Sequence, residues 1–186
     1  MLICLALSAL SSTFKVKLPG LTSSISPGFV FVLVAAGQLS FSETVAIAMV
    51  AALVQCLWKP STRPGLLRVA FNAATLVIAS GLSHGVANGL LTGRNKLPGA
   101  VSLAVSGLVL LVTNTVLVAT ILCLIQKSPL HRVWRAIQLW AVPYYLAGGV
   151  LAAAWVQAPL TSVSIAVLAA VSVYLLNLCY REFAGL

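Results

Sequence analysis

Four side chains hold most of the acid–base chemistry open to this sequence: Glu43, Glu182, His84 and His131. General acid–base catalysis needs two such groups within hydrogen-bond reach of one substrate. Glu43, in GQLSFSE, is expected in the first turn of a helix, where a negative charge suits the dipole. Glu182 lies in the C-terminal YREFAGL, and the helices set out below put the two carboxylates at opposite ends of the protein. His131, in KSPLHRVWR, is a loop histidine among like charges and is expected to be solvated. His84 has no second His, Cys or carboxylate beside it, so it is not expected to hold a metal. There is no serine in a GxSxG elbow and no phosphate-cradling glycine loop. Catalysis, a metal and a cofactor are therefore not expected.

Recognition of a ligand is better provided for. In RVAFNAATLVIASGLSHGVANGLL, Ser80, His84 and Asn88 recur every four residues and share one helical face, with Asn72 two turns earlier. Polar groups in an apolar medium are costly and turn toward a protein interior or a wet cavity. Two readings of that face are open: fixed hydrogen-bonding glue between helices, or the wall of a pocket reached from the outer side. The adjacent glycines Gly81, Gly85 and Gly89 give a smooth face for close approach of a neighbouring helix. Farther on, Ser102, Ser106, Thr113 and Thr120 mark an expected inward stripe, with Asn114 beside it.

The segment QLWAVPYYLAGG is the richest. Pro143 is expected to free the carbonyl of residue 139 and kink its helix. Gln138, Trp140, Tyr144 and Tyr145 surround that point, followed by the small pair Gly148 and Gly149. The tyrosines fall about 10 residues inside the helix, too deep for an interfacial aromatic belt. Rings beside amides are how a small-molecule pocket is lined. The candidate ligand-binding set is thus Asn72, His84, Asn88, Asn114, Gln138, Trp140, Tyr144 and Tyr145.

The elements carrying these residues follow from composition. Of 186 residues, 61% are hydrophobic and 7% charged, with mean hydropathy +1.09. Soluble domains carry about 25% charged residues, so this chain is expected to be a polytopic membrane protein. Short polar connections leave one domain, residues 1–186, with no separate soluble unit. The net charge of +9 is spread through short loops without a basic stripe, which points to anionic lipid headgroups and topology, and away from nucleic acid. Cys4, Cys56, Cys123 and Cys179 lie in apolar segments without CxxC spacing and are expected to be buried free thiols. MLICLALSAL lacks a basic start and a small-residue cleavage site, so a cleaved signal peptide is not expected.

A span needs about 20 apolar residues. Residues 68–92, 99–126, 133–157 and 160–180 qualify. Residues 28–58 are too long for one span, and GQLSFSE breaks them into 28–38 and 42–58, with Ser40 or Ser42 as N-cap. Residues 1–13 form a further short apolar helix, and FKVKLPG reads as an extended interfacial segment ending in a turn. The fold class is an all-α bundle of six to seven transmembrane helices. If all seven cross, one side receives Lys15, Lys17, Lys59, Arg63, Arg68, Lys127, Arg132, Arg135 and Arg181, and the other only Arg94 and Lys96. That bias is expected to place the N-terminus outside and the C-terminus on the cytoplasmic side of a plasma (inner) membrane.

The stretches FKVKLPG, SISPGFVFVLVAAG, ALVQCLW, RVAFNAAT, VPYYLAGG and LCYREF occur in that order. Together they resemble the N-terminal membrane sensory domain of bacterial signalling proteins with diguanylate-cyclase (GGDEF) or HD-type phosphodiesterase output. More remotely, the chain is similar to the substrate-binding subunits of energy-coupling-factor vitamin transporters. The first resemblance implies a membrane sensory module, and with the candidate residues above it leads us to expect recognition of a small or lipid-like molecule and relay to a cytoplasmic signalling partner. The second implies a vitamin-type uptake subunit with an ATPase partner. A membrane lipid-modifying enzyme is a distant third reading, and nothing catalytic carries over from either resemblance.

Overall fold

The computed structural model describes residues 1–14, 16–17, 24–58, 65–92, 99–127 and 129–157. The expected span 160–180, with Cys179, Arg181 and Glu182, lies outside the described residues, as do Lys59, Arg63, Arg94 and Lys96. Six helices follow in order: α1 (Leu2–Ser12), α2 (Phe29–Gln38), α3 (Phe41–Leu57), α4 (Leu66–Thr92), α5 (Gly99–Gln126) and α6 (Leu130–Gln157). Between α1 and α2 a two-residue antiparallel ladder pairs β1 (Val16–Lys17) with β2 (Ser24–Ile25), Val16 opposite Ile25. The extended segment expected in FKVKLPG is this ladder.

Two of the helices are long and apolar enough to cross a membrane, over Leu66–Gly89 in α4 and Val101–Ile125 in α5. Their outward faces are apolar as well. Leu66 is 87% exposed and Ile125 71%. Large aliphatic side chains left this bare in water forgo about 2 kcal/mol each, whereas hydrocarbon solvates them at no cost.

The break in residues 28–58 falls where GQLSFSE predicts it. Ser40 is the N-cap of α3: its hydroxyl accepts from the Glu43 amide, and the Glu43 carboxylate accepts from the Ser40 amide at 3.0 Å. This reciprocal pair is a capping box, and the three-residue spacing selects Ser40 over Ser42. At the far end of α3, Gln55 accepts a hydrogen bond from Ser26, just ahead of α2, at 3.2 Å. A bond between the start of α2 and the end of α3 requires that the two fold back as a hairpin.

That hairpin places α2 at the centre of the protein. Ten residues rise about 15 Å, half of the roughly 30 Å hydrocarbon thickness. Such a helix cannot present both ends to water on its own. Every residue from Phe29 to Ala36 is instead buried, with α1, α3, α4, α5 and α6 packed around them. The sequence FVFVLVAA has no polar face because it needs none. Close approach of α1 depends on Gly28, where an added Cβ would collide with the Ser12 hydroxyl and lie 3.2 Å from the Ser8 carbonyl oxygen.

Around this helix α4 and α5 are antiparallel and fastened by reciprocal serines. Ser83 Oγ donates to the Ser106 carbonyl at 3.0 Å, and Ser102 Oγ donates to the Ala87 carbonyl at 3.1 Å. All three serines are fully buried. Helix α6 runs unbroken through Pro143 from Leu130 to Gln157, so the proline does not divide the element in which it sits.

Candidate functional site

The eight candidate residues fall in three places. Asn72, near the start of α4, donates from Nδ2 to the Cys56 sulfur at 3.3 Å, tying α4 to the end of α3. His84 lies 12 residues on, about 18 Å along the same helix. Asn72 therefore belongs to no site with His84.

The second place is the tip of the α2–α3 hairpin. His84 packs its ring edge-on against Phe41, centroids 5.7 Å apart, and its Nδ1 lies 3.5 Å from Thr44 Oγ1. Thr44 is fully buried, with carbonyls of Ala35 and Ser40 in reach of its hydroxyl at 3.1 and 3.0 Å. Asn88, one turn beyond His84, donates to the His84 carbonyl at 2.9 Å and to the Ala36 carbonyl at 3.4 Å. Two carbonyl acceptors fix which end of the amide is nitrogen. That nitrogen is 3.3 Å from Nδ1 and 3.2 Å from Nε2 of His84. An atom in the ring plane equidistant from both nitrogens would collide with the carbon between them, so the amide lies over the ring face. His84 and Asn88 thus hold the end of α2 and the start of α3 against α4. The Glu43 carboxyl at this tip is held below the usual carboxylate range by the hydroxyl and amide of Ser40.

The third place joins the middles of α5 and α6. Asn114 Nδ2 donates to the Tyr145 hydroxyl at 3.2 Å. Tyr145 stacks on Phe29 of α2, and Tyr144 also meets Phe29, with centroids 5.3 Å apart and planes tilted by 44°. Both tyrosines are buried, and among the described residues the Tyr144 hydroxyl has no hydrogen-bond partner. Phe29 fits because residue 148 is a glycine. A Cβ there would collide with the Phe29 ring and stand 3.0 Å from Val30 Cγ2.

Beside Tyr145 a groove of about 560 Å³ opens between α5 and α6. Its walls are Leu108, Leu111, Leu146 and Val150, with Ala104 and Ala154 toward the end where α5 begins and α6 closes. Gly149 leaves it wide, since a Cβ there would meet nothing within 4 Å among the described residues, whereas a Cβ at Gly107 would press on Leu33 of α2. The stretch from 104 to 111 and the stretch from 145 to 154 rise about 10 and 14 Å, within the ~15 Å depth of one leaflet's hydrocarbon. The groove is almost wholly apolar, with Tyr145 as its polar-tipped member.

Several expectations change. Among the described residues an added Cβ at Gly85 or Gly89 would meet nothing within 4 Å, and one at Gly81 would meet the Phe41 ring. In α5 the expected inward stripe ends before Thr120, while Thr113 is half-buried. Thr120 is exposed and its hydroxyl bonds the Val116 carbonyl of its own helix, which removes the penalty for facing out. The buried hydroxyl there is Thr115, bonded to Leu111. The side chains of Gln138 and Trp140 lie outside the described residues. Phe29, Phe41, Thr44 and Ser83 were not singled out by sequence. A phenylalanine in an all-apolar run gives no pattern to separate it from packing, though Thr44 stands out as the polar residue directly after a capping box.

Chemically, these places can bind and pack. Among the described residues no three His, Cys, Asp or Glu side chains converge, and Cys4, Cys56 and Cys123, none of them in a disulfide, sit on separate helices.

The chain matches no known family model, no curated protein and no solved structure. Its function is therefore argued from its own geometry.

Proposed function

We propose that this chain is a multi-pass sensory module of a bacterial inner membrane that recognises a small lipid-like molecule in the α5–α6 groove. The observation that carries this reading is the groove itself: apolar walls, space left open at Gly149, and one hydrogen-bonded tyrosine beside it. Its volume lies in the range of small-molecule sites, and its rim residues Leu108, Leu146 and Val150 are exposed on the side of the helices. A ligand would enter from the bilayer and leave its polar end near Tyr145 and Asn114. The nine-to-two division of Lys and Arg supports a cytoplasmic C-terminus, from which a signalling partner would read the state.

Relay is supported by α2. At one end Phe29 stacks on Tyr145, and at the other the Ala36 carbonyl accepts from Asn88. A displacement of Tyr145 by ligand would be felt through one rigid, fully enclosed helix at the hairpin tip. Ligand binding would then shift the population between two packings of the hairpin.

Mass spectrometry of molecules retained on the protein in mild detergent tests this. A defined lipid-like species should be recovered and should be lost in Gly149→Leu, which fills the groove. Recovery from that variant at the wild-type level would sink the reading. Co-purification of an ATPase pair would make the chain a substrate-binding transport subunit instead.

A further inference from the structure

We propose that the α5–α6 groove takes a neutral, long-chained carbonyl compound seated head inward, its carbonyl oxygen on the Tyr145 hydroxyl at the middle of the membrane. The inference rests on the reading of the groove as a ligand site in a membrane, and adds the chemistry and direction of the occupant. It starts from the hydrogen bond between Asn114 and Tyr145, in which the amide nitrogen donates and the phenol oxygen accepts. Among the described residues the two side chains make no other hydrogen bond, so the Tyr145 O–H is left to donate. Turned over, the amide would accept that proton and keep both of its own N–H groups, so a donor stays unspent in either setting. A buried donor without an acceptor is a standing penalty that a ligand's acceptor would remove.

Position and polarity fix the rest. Tyr145 stands about 22 Å from the start of α6 and about 18 Å from its end, which puts it near the middle of a spanning helix. From there the groove runs past Leu108, Leu111 and Val150 to Ala104 and Ala154 without another polar side chain in its walls. A phospholipid is built the other way round, with its acceptors at the membrane surface and its methyl ends at the centre. In this groove it would lay hydrocarbon against the unspent donor. The occupant that fits carries its acceptor at the buried end and its hydrocarbon toward the surface. It is neutral, because a charge at that depth is costly without a partner, and α5 has no charged residue and α6 none beyond Arg135. A carbonyl suits the site better than an alcohol. It accepts from Tyr145 and brings no further donor, whereas an alcohol's own O–H would face apolar walls.

Thermal unfolding of the full chain in lipid nanodiscs, titrated with probes of equal chain length, tests this. The probes are methyl nonyl ketone, its isomer dipentyl ketone, and undecane. Methyl nonyl ketone alone can set its carbonyl at the buried end and trail its whole chain toward the surface. It should half-saturate the stabilisation at a membrane concentration about fivefold lower than either of the others. Tyr145→Phe should erase that preference and leave undecane binding as in the wild type, and Gly149→Leu should abolish binding of every probe. Should Tyr145→Phe fail to fold, the two isomers compared on the wild type decide. Equal binding of the isomers, still lost in Gly149→Leu, would overturn the head-inward carbonyl and leave the groove standing as a site. So would a preference that persists in Tyr145→Phe. Binding unchanged in Gly149→Leu, or no binding of any probe, would remove the groove reading and this inference with it.

Discussion

The Phe29 ring lies on the Tyr145 ring with centroids 4.2 Å apart and planes inclined by 30°. This stack couples the central short helix to the wall of the candidate groove, and it exists because α6 carries no side chain at position 148. Offset-stacked rings contribute about 0.5–1.5 kcal/mol beyond the area they bury.

Gly148→Ala should therefore be disproportionately harmful for a substitution that usually favours a helix. The new methyl would collide with the Phe29 ring and press on Val30. Overpacking of a close-fitted core costs about 1–3 kcal/mol. Thermal melts in detergent should show a clear loss for Gly148→Ala. Gly149→Ala, whose methyl meets nothing within 4 Å, should melt as wild type or slightly higher.

The hydrogen bond from Asn114 to Tyr145 can be weighed by a double-mutant cycle of Asn114→Leu and Tyr145→Phe. Interhelical hydrogen bonds in membrane proteins average only about 0.6 kcal/mol. The coupling energy should fall near that value, small beside the packing term at Gly148. A coupling above about 2 kcal/mol would mean that the pair does more than join two helices.

How much of this was legible in the sequence depends on the kind of signal each residue leaves. Ser40 and Glu43 were readable because a capping box has a fixed spacing and a fixed purpose. The α2–α3 break and its shortness were readable from the polar GQLSFSE inside an apolar run. Asn114 and Tyr145 were readable singly, as polar groups too deep to be solvated, but their pairing was not, since nothing local sets the register between α5 and α6. The glycine stripe of α4 was less telling for a physical reason: a smooth face permits close packing without compelling it, and among the described residues only Gly81 meets a neighbour. Phe29 was invisible because one apolar residue in FVFVLVAA looks like any other until its neighbours are known.

The reciprocal serines of α4 and α5 should show small losses when shortened and large ones when enlarged. Ser83→Ala removes one bond to the Ser106 carbonyl, which as a helical carbonyl keeps a backbone partner, so the cost should be about 0.6 kcal/mol. Ser83→Leu drives a larger side chain into a position with no exposed surface and should cost about 1–3 kcal/mol. Unfolding midpoints of the two variants, compared in one detergent, should rank in that order. The reverse order would mean that hydrogen bonding outweighs shape at this contact.

The capping box predicts both a mutational and a pH effect at the hairpin turn. Ser40→Ala removes the side-chain acceptor for the Glu43 amide and should cost about 1 kcal/mol. Glu43 is depressed chiefly by the Ser40 hydroxyl and then by the Ser40 amide. A carboxyl lowered on folding stabilises the folded state at neutral pH, above its unfolded value. That contribution is lost as pH falls through the lowered value, below about pH 4. Exposure of the carboxylate to solvent keeps the effect modest, and added salt should weaken it further. Hydrogen exchange at the tip followed below pH 5 should therefore show a loosening. Ser40→Ala and Glu43→Gln should each remove it, because both dissolve the same reciprocal bond. Persistence of the low-pH step in Glu43→Gln would assign it to the collapse of the bundle as a whole.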